Sequence, residues 1–230
     1  MISKLTITTS LFAVLPLVGC GSNTATDPAG PGTAKADAID CSGYKAPDGT
    51  EKWMAWEEGI DVAGMTEPGL PMPNVIVHVA KMVHTPAGSA PSGMIFYQPD
   101  PKGAPAVMGF VSSDPAVAAY FGPNIFAGTP FEQAPALTGD IVITSDEGKV
   151  SSRTEVGGHV FEVEMTTMAA ATPIAREPGQ NTPFTQKGTE AGVEGVIVKV
   201  DGTPVEMAVL PVGIAGGPGA VWAPCGVYTR

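Results

Sequence analysis

A mainly β fold is predicted, a β-rich α+β domain arranged as an antiparallel barrel or sandwich with one or two short helices. Three features of the 230-residue sequence predict it. Its 29 Gly and 23 Pro place a helix breaker about every four or five residues, too often for long helices. Its 43% hydrophobic content is too high for a disordered chain, and the glycines follow no collagen-like period. The apolar runs are short, rich in β-branched residues, and bounded by Gly or Pro clusters, as strands are. No internal repeat interrupts this pattern.

The elements follow in order. Val75 to Val83 (VIVHVAKMV) is long enough for a strand, and Met94 to Tyr97 and Val107 to Val111 read as two more. Asp114 then supplies an N-cap and Pro115 the first helical turn, so Ala116 to Phe121 is expected as a short helix that Gly122-Pro123 stops. Asp140 to Thr144 leads through Asp146-Glu147-Gly148-Lys149 into Val150 to Val156, and Gly157-Gly158 leads into His159 to Met168. Within that last run Phe161, Val163 and Met165 alternate with Glu162, Glu164 and Thr166, the period of a strand with one buried face. Asp201-Gly202 joins Val196 to Val200 with Pro204 to Leu210 as a hairpin, and Trp222 to Tyr228 closes the set. The expected total is eight or nine strands.

The amino terminus reads differently. Residues 1–19 combine Lys4, an apolar run from Leu11 to Val18 and small residues before a cut, the layout of a secretory signal peptide, and the run is too short to span a bilayer. Leu17-Val18-Gly19-Cys20 resembles the lipobox of bacterial lipoproteins. The resemblance implies cleavage before Cys20, lipidation of its sulfur, and partnership with a membrane through that anchor. In Gram-negative members a residue other than Asp after the Cys, here Gly21, implies the outer membrane. Several acyl chains, at about 0.8 kcal/mol per buried CH₂, hold such a protein in place. Residues 20–40 are small, polar, Pro or Gly apart from Ile39 and read as a flexible lipidated tether, which leaves 41–230 as one domain.

Charge and cysteine usage fit that setting. Twelve Lys plus Arg against 23 Asp plus Glu give a net charge of -11, the opposite of what a nucleic-acid phosphate binder needs. Beyond Cys20, the remaining cysteines are Cys41 and Cys225. In an oxidising compartment they can pair, restricting the unfolded chain by about 5 kcal/mol in the loop-entropy account; the alternative is two buried thiols.

Catalytic and metal motifs are sparse. His78 and His84 share a strand parity but lie six residues, or about 20 Å, apart, so they cannot chelate one ion directly and read as structural histidines, as does His159. There is no Gly-x-Ser-x-Gly elbow, and Ser89 and Ser92 read as turn residues. Gly213 to Gly219 contains Pro218 and precedes no amphipathic helix, which argues against a dinucleotide cradle. Glu57-Glu58 and Asp146-Glu147 read as solvated pairs in turn-like or helical surface positions. Neither a metal nor a cofactor is expected.

Taken in order, the segments from Val75 to Tyr228 resemble the acetoacetate decarboxylase superfamily: a strand group, Asp-Pro-Ala-Val-Ala-Ala at 114–119, then Gly122 to Glu132 where that family carries its lysine motif, and Pro204-Val205 and Leu210-Pro211-Val212 before a Gly-rich turn. Gly122, Gly128 and Pro130 are the motif residues retained. The family's decarboxylation requires a Schiff-base Lys with a neighbouring Lys. By this alignment both are replaced, by Phe131 and Glu132, while Pro123 and Asn124 stand where an Arg and a Glu belong. The resemblance therefore implies the fold without the amine chemistry. Two roles follow: a non-catalytic lipoprotein whose pocket near Asn124, Pro130, Phe131 and Glu132 binds a small uncharged or cationic molecule or serves as an envelope interaction surface, or a divergent enzyme using Glu132 as acid or base on a carbonyl or keto-acid compound. The first is favoured, since no catalytic constellation emerges.

Overall fold

A computed structural model describes Cys41, residues 43–179 and residues 182–230. The expected leader (1–19), the lipidation at Cys20 and the tether (20–40) lie outside the described residues.

Among the described residues, thirteen strands and one helix follow in the order β1 (Trp53–Met65), β2 (Val75–Thr85), β3 (Gly88–Tyr97), β4 (Val107–Ser112), α1 (Pro115–Asn124), β5 (Ala136–Asp146), β6 (Lys149–Val156), β7 (His159–Thr166), β8 (Thr172–Arg176), β9 (Thr185–Gly192), β10 (Gly195–Val200), β11 (Thr203–Pro204), β12 (Ala208–Val209) and β13 (Ala220–Thr229). The fold is mainly β, as predicted. Hydrogen bonds link the strands as β11-β10-β7-β6-β5-β4-β3-β2-β1-β13-β9-β8, with β12 on β1. The path is open at both ends, so the barrel alternative is not formed. Instead the two halves of the sheet fold over one another. Ile60, Val77 and Ile95 of the β1 to β3 half share a buried cluster with Ile141, Phe161 and Val198 of the β5, β7 and β10 half.

All pairings are antiparallel except β4 with β5, where Phe110 to Ser112 run parallel to Ala136 to Thr138. A parallel pair needs a crossover, and α1 is part of it. Asp114 caps α1 by accepting the Ala116 N–H at 2.8 Å, and Pro115 stands where an N–H would have no intrahelical partner. The helix continues past Gly122-Pro123 to Asn124, further than the sequence predicts. Pro123 sits in the last turn, where its missing N–H removes only one bond. Gly122 is required there by packing, because a Cβ would approach the Glu132 carbonyl oxygen to 2.4 Å. The buried face of α1, through Val117 and Phe121, packs with Phe110, Phe126 and Phe184 into a second, aromatic cluster; burying one such Phe stabilises by roughly 1.5–3 kcal/mol.

The two clusters lie on opposite faces of the central strands, and those strands exchange faces midway. In β1, Trp56 joins the aromatic cluster, yet Ile60, four residues on and of equal parity, joins the other. Regular alternation would keep both on one side. Glu58 between them has φ +50°. Register shifts fall alongside, between Ala80 and Val83 in the β2–β3 ladder and between Trp222 and Cys225 in the β13–β9 ladder. Such irregularities reverse the alternation locally. The aligned reversals leave Asp61 and His78 on the aromatic-cluster side, in the wall of an interior cavity.

The predicted turns form where their chemistry places them, but the strand expected over Pro204 to Leu210 does not: only Thr203–Pro204 pairs with β10, and Ala208–Val209 pairs with β1 instead. Asp201 (φ +53°) and Gly202 (φ +77°) join β10 to β11, and Gly157 and Gly158, both at positive φ, join β6 to β7. The Asp201 carboxylate accepts the Val160 N–H at 2.9 Å and meets His159 at 2.8 Å; the amide, then the histidine, lower its pKa.

Candidate functional site

Three strands that the sequence does not mark, β1, β8 and β9, join β2 and β13 in building the interior site. Asp61 of β1 lies directly opposite His78 of β2, with Oδ2 3.4 Å from Nδ1. Asp61 keeps 7% of its side chain exposed and His78 22%. The contact is electrostatic rather than a formed hydrogen bond: Asp61 Oδ1 and His78 Nδ1 are both buried without a hydrogen-bond partner. Burial opposes the charged form of His78, but the Asp61 carboxylate and, more weakly, that of Glu190 outweigh it and raise its pKa above 6.5.

The facing wall is a closed ion pair. Arg176 of β8 donates through both terminal nitrogens to the two Glu190 oxygens of β9, each at 2.6 Å, and again to Gln186 Oε1 at 3.0 Å. Gln186 in turn donates to Glu190 at 3.3 Å. The bidentate fork is the strong geometry for this pair, and the Glu190 hydrogen bonds raise the Arg176 pKa further. The Gly-rich turn lies against it: a Cβ on Gly217 would come within 2.9 Å of an Arg176 nitrogen and 3.0 Å of a Glu190 oxygen. Glycine at position 217 thus lets backbone cover a charge pair.

Between these pairs is a cavity of about 30 Å³, bordered by Asp61, His78, Gln186 and Glu190 and by the rings of Trp56 and Tyr228. Trp56 donates its indole N–H to the Ala223 carbonyl at 3.1 Å and lies 4.8 Å from the Tyr228 ring. Its indole rests on Gly226, where a Cβ would come within 2.2 Å of the ring. Burial first, then the nearby Asp61 and Glu190 carboxylates, push the Tyr228 hydroxyl pKa well up, so it stays protonated.

The residues expected to form a pocket lie elsewhere. Asn124 donates to the Tyr120 carbonyl at 2.9 Å at the end of α1, and Pro130 is exposed. Phe131, half-buried, sets its ring edge-on to Phe126, and Glu132 accepts the Gly128 N–H at 2.7 Å within its own loop. None of the four borders the cavity. Ser92 is not a turn residue: it is buried in β3 and donates to Ser112 at 2.8 Å. Cys41 and Cys225 form a disulfide, so of the two cysteine alternatives the cross-link is the one present. Among the described residues no three His, Cys, Asp or Glu side chains gather as metal ligands. Compared with protein-family models, curated proteins and solved structures, the chain matches none.

Proposed function

We propose that this is a lipid-anchored protein of the bacterial cell envelope, tethered through Cys20. On this reading its β-domain follows the acetoacetate decarboxylase plan, and its interior site binds a small hydrogen-bond donor or cation instead of decarboxylating a keto acid. The observation that carries the binding role is the buried Asp61 Oδ1 in the cavity wall without a partner. A buried acceptor left unpaired costs about 1–3 kcal/mol, and a donor in the cavity recovers it.

The chemistry of the ligand follows from the wall. Two carboxylates, Asp61 and Glu190, against one guanidinium, Arg176, leave one negative charge when His78 is neutral. The Trp56 and Tyr228 rings favour a cation further. A water needs about 10–15 Å³ of such space, so about 30 Å³ admits roughly two heavy atoms, the size of methylammonium. Loss of amine chemistry is supported by the lysines: none borders the cavity, and among the described residues all but Lys199 are exposed. The disulfide supports an oxidising compartment.

Two measurements test the reading. Borohydride reduction in the presence of acetoacetate is expected to leave every lysine unmodified, and a reduced adduct on any lysine overturns the loss of amine chemistry. Cys20→Ser is expected to move the protein from the membrane fraction to the soluble fraction; retention in the membrane overturns the anchor.

A further inference from the structure

Outside the interior site, the turn end of the β2–β3 hairpin carries a relay of three side chains. His84 Nδ1 lies 2.8 Å from Ser89 Oγ, and His84 Nε2 lies 3.1 Å from Glu57 Oε1. Strand register creates the arrangement. Ser89 sits directly across from His84 in the β2–β3 pairing, and Glu57, paired with Met82, is the diagonal neighbour of His84 on β1. All three border a groove of about 630 Å³ between these strands and residues 44–50, with Tyr44 and Trp53 along its wall. That volume admits a ligand of many heavy atoms, whereas the interior cavity of about 30 Å³ admits about two.

We propose that Ser89 is an activated nucleophile, with His84 as general base and Glu57 holding the imidazole, and that the groove accepts small uncharged or cationic esters with good leaving groups. A hydroxyl bonded to one nitrogen of an imidazole whose other nitrogen is held by a carboxylate is the arrangement that activates serine, whatever the fold or chain order. Ser89 Oγ adds to the ester carbonyl as its proton passes to Nδ1, while Nε2–H remains on Glu57. Collapse breaks the bond to the leaving oxygen, which takes the Nδ1 proton and departs as the alcohol. Water then adds to the acyl carbon, giving its proton to Nδ1, and Ser89 leaves with that proton, so ester and water yield acid and alcohol. Glu57 is 58% exposed and the groove is open to solvent, so the developing oxyanion is stabilised by water. This restricts the chemistry to activated esters. The net charge of -11 disfavours anionic ones.

The test is covalent labelling of the full chain with an alkyl fluorophosphonate, in which Ser89 displaces fluoride and its proton leaves through His84. One adduct on Ser89 is expected by peptide mass spectrometry. Its rate should fall at least about tenfold in His84→Ala and by a smaller factor in Glu57→Gln. Glu147→Gln, in the exposed turn between β5 and β6 and outside the groove, should label like the wild type. Absence of the adduct on Ser89, or an undiminished rate in His84→Ala, overturns the proposal.

Discussion

Asp61 and His78 are a pair in which the carboxylate favours the protonated imidazole. Because the folded-state pKa of His78 is raised, its contribution to stability is fully present below about pH 6.5 and is lost as pH rises through the raised value. Denaturant melts from about pH 5.5 to about pH 8.5 are therefore expected to show stability falling with pH in the wild type, and a flatter profile in Asp61→Asn, where the attraction is gone. An equally steep fall in Asp61→Asn would assign the slope to another group. The Arg176–Glu190 pair sets a different scale. Removing one partner of a buried pair strands the other, and Arg176 keeps only 25% of its side chain in water, so Glu190→Gln is expected to lower stability by about 2 kcal/mol in the same melts. None of these four residues stands out in the sequence. His78 reads there as a structural histidine, and Asp61, Arg176 and Glu190 carry no motif, because their meeting depends on register across strands far apart in the chain.

At the level of elements, β2, β3, β4, β5, β6, β7, β10 and β13 all coincide with segments that the sequence marks as strands. β1 and β9 do not. Glu57-Glu58-Gly59 interrupts the apolar pattern of β1 where the strand exchanges faces, and β9 (TQKGTEAG) has no apolar alternation at all. These two supply Asp61, Gln186 and Glu190, so the segments least readable as strands hold most of the interior site. The physical reason is shared: a strand that turns a carboxylate or an amide into a mostly apolar cavity, and carries glycine where a neighbour packs close, has its hydrophobic stripe interrupted. Gly226 is the sharpest instance. Gly226→Ala would drive a methyl into the Trp56 indole and is expected to destabilise by about 1–3 kcal/mol, with Trp56 fluorescence reporting the displaced ring. At the helix, Asp114→Ala removes the cap on the Ala116 N–H and is expected to cost about 1 kcal/mol, measured by the same denaturant melts.

For the whole molecule, the Cys41–Cys225 disulfide joins the start of the described domain to its last strand across 184 residues. Cys225→Ser is expected to lower stability by about 2–4 kcal/mol, less than the full loop-entropy value, because unfolded chains retain structure. The sheet it closes is open at both ends and folded over itself, with one aliphatic and one aromatic core; the composition indicated the β class, whereas the reversals that seat the cavity beside the aromatic core arise only from register. The central claim is that this cavity binds a small cation in competition with the His78 proton. It is tested most directly by titrating methylammonium chloride into the protein, at constant ionic strength, while following the His78 imidazole by NMR. A saturable displacement of those signals is predicted, tighter at pH values above the His78 titration and absent in Asp61→Asn. A response that never saturates, or that persists unchanged in Asp61→Asn, would contradict the claim.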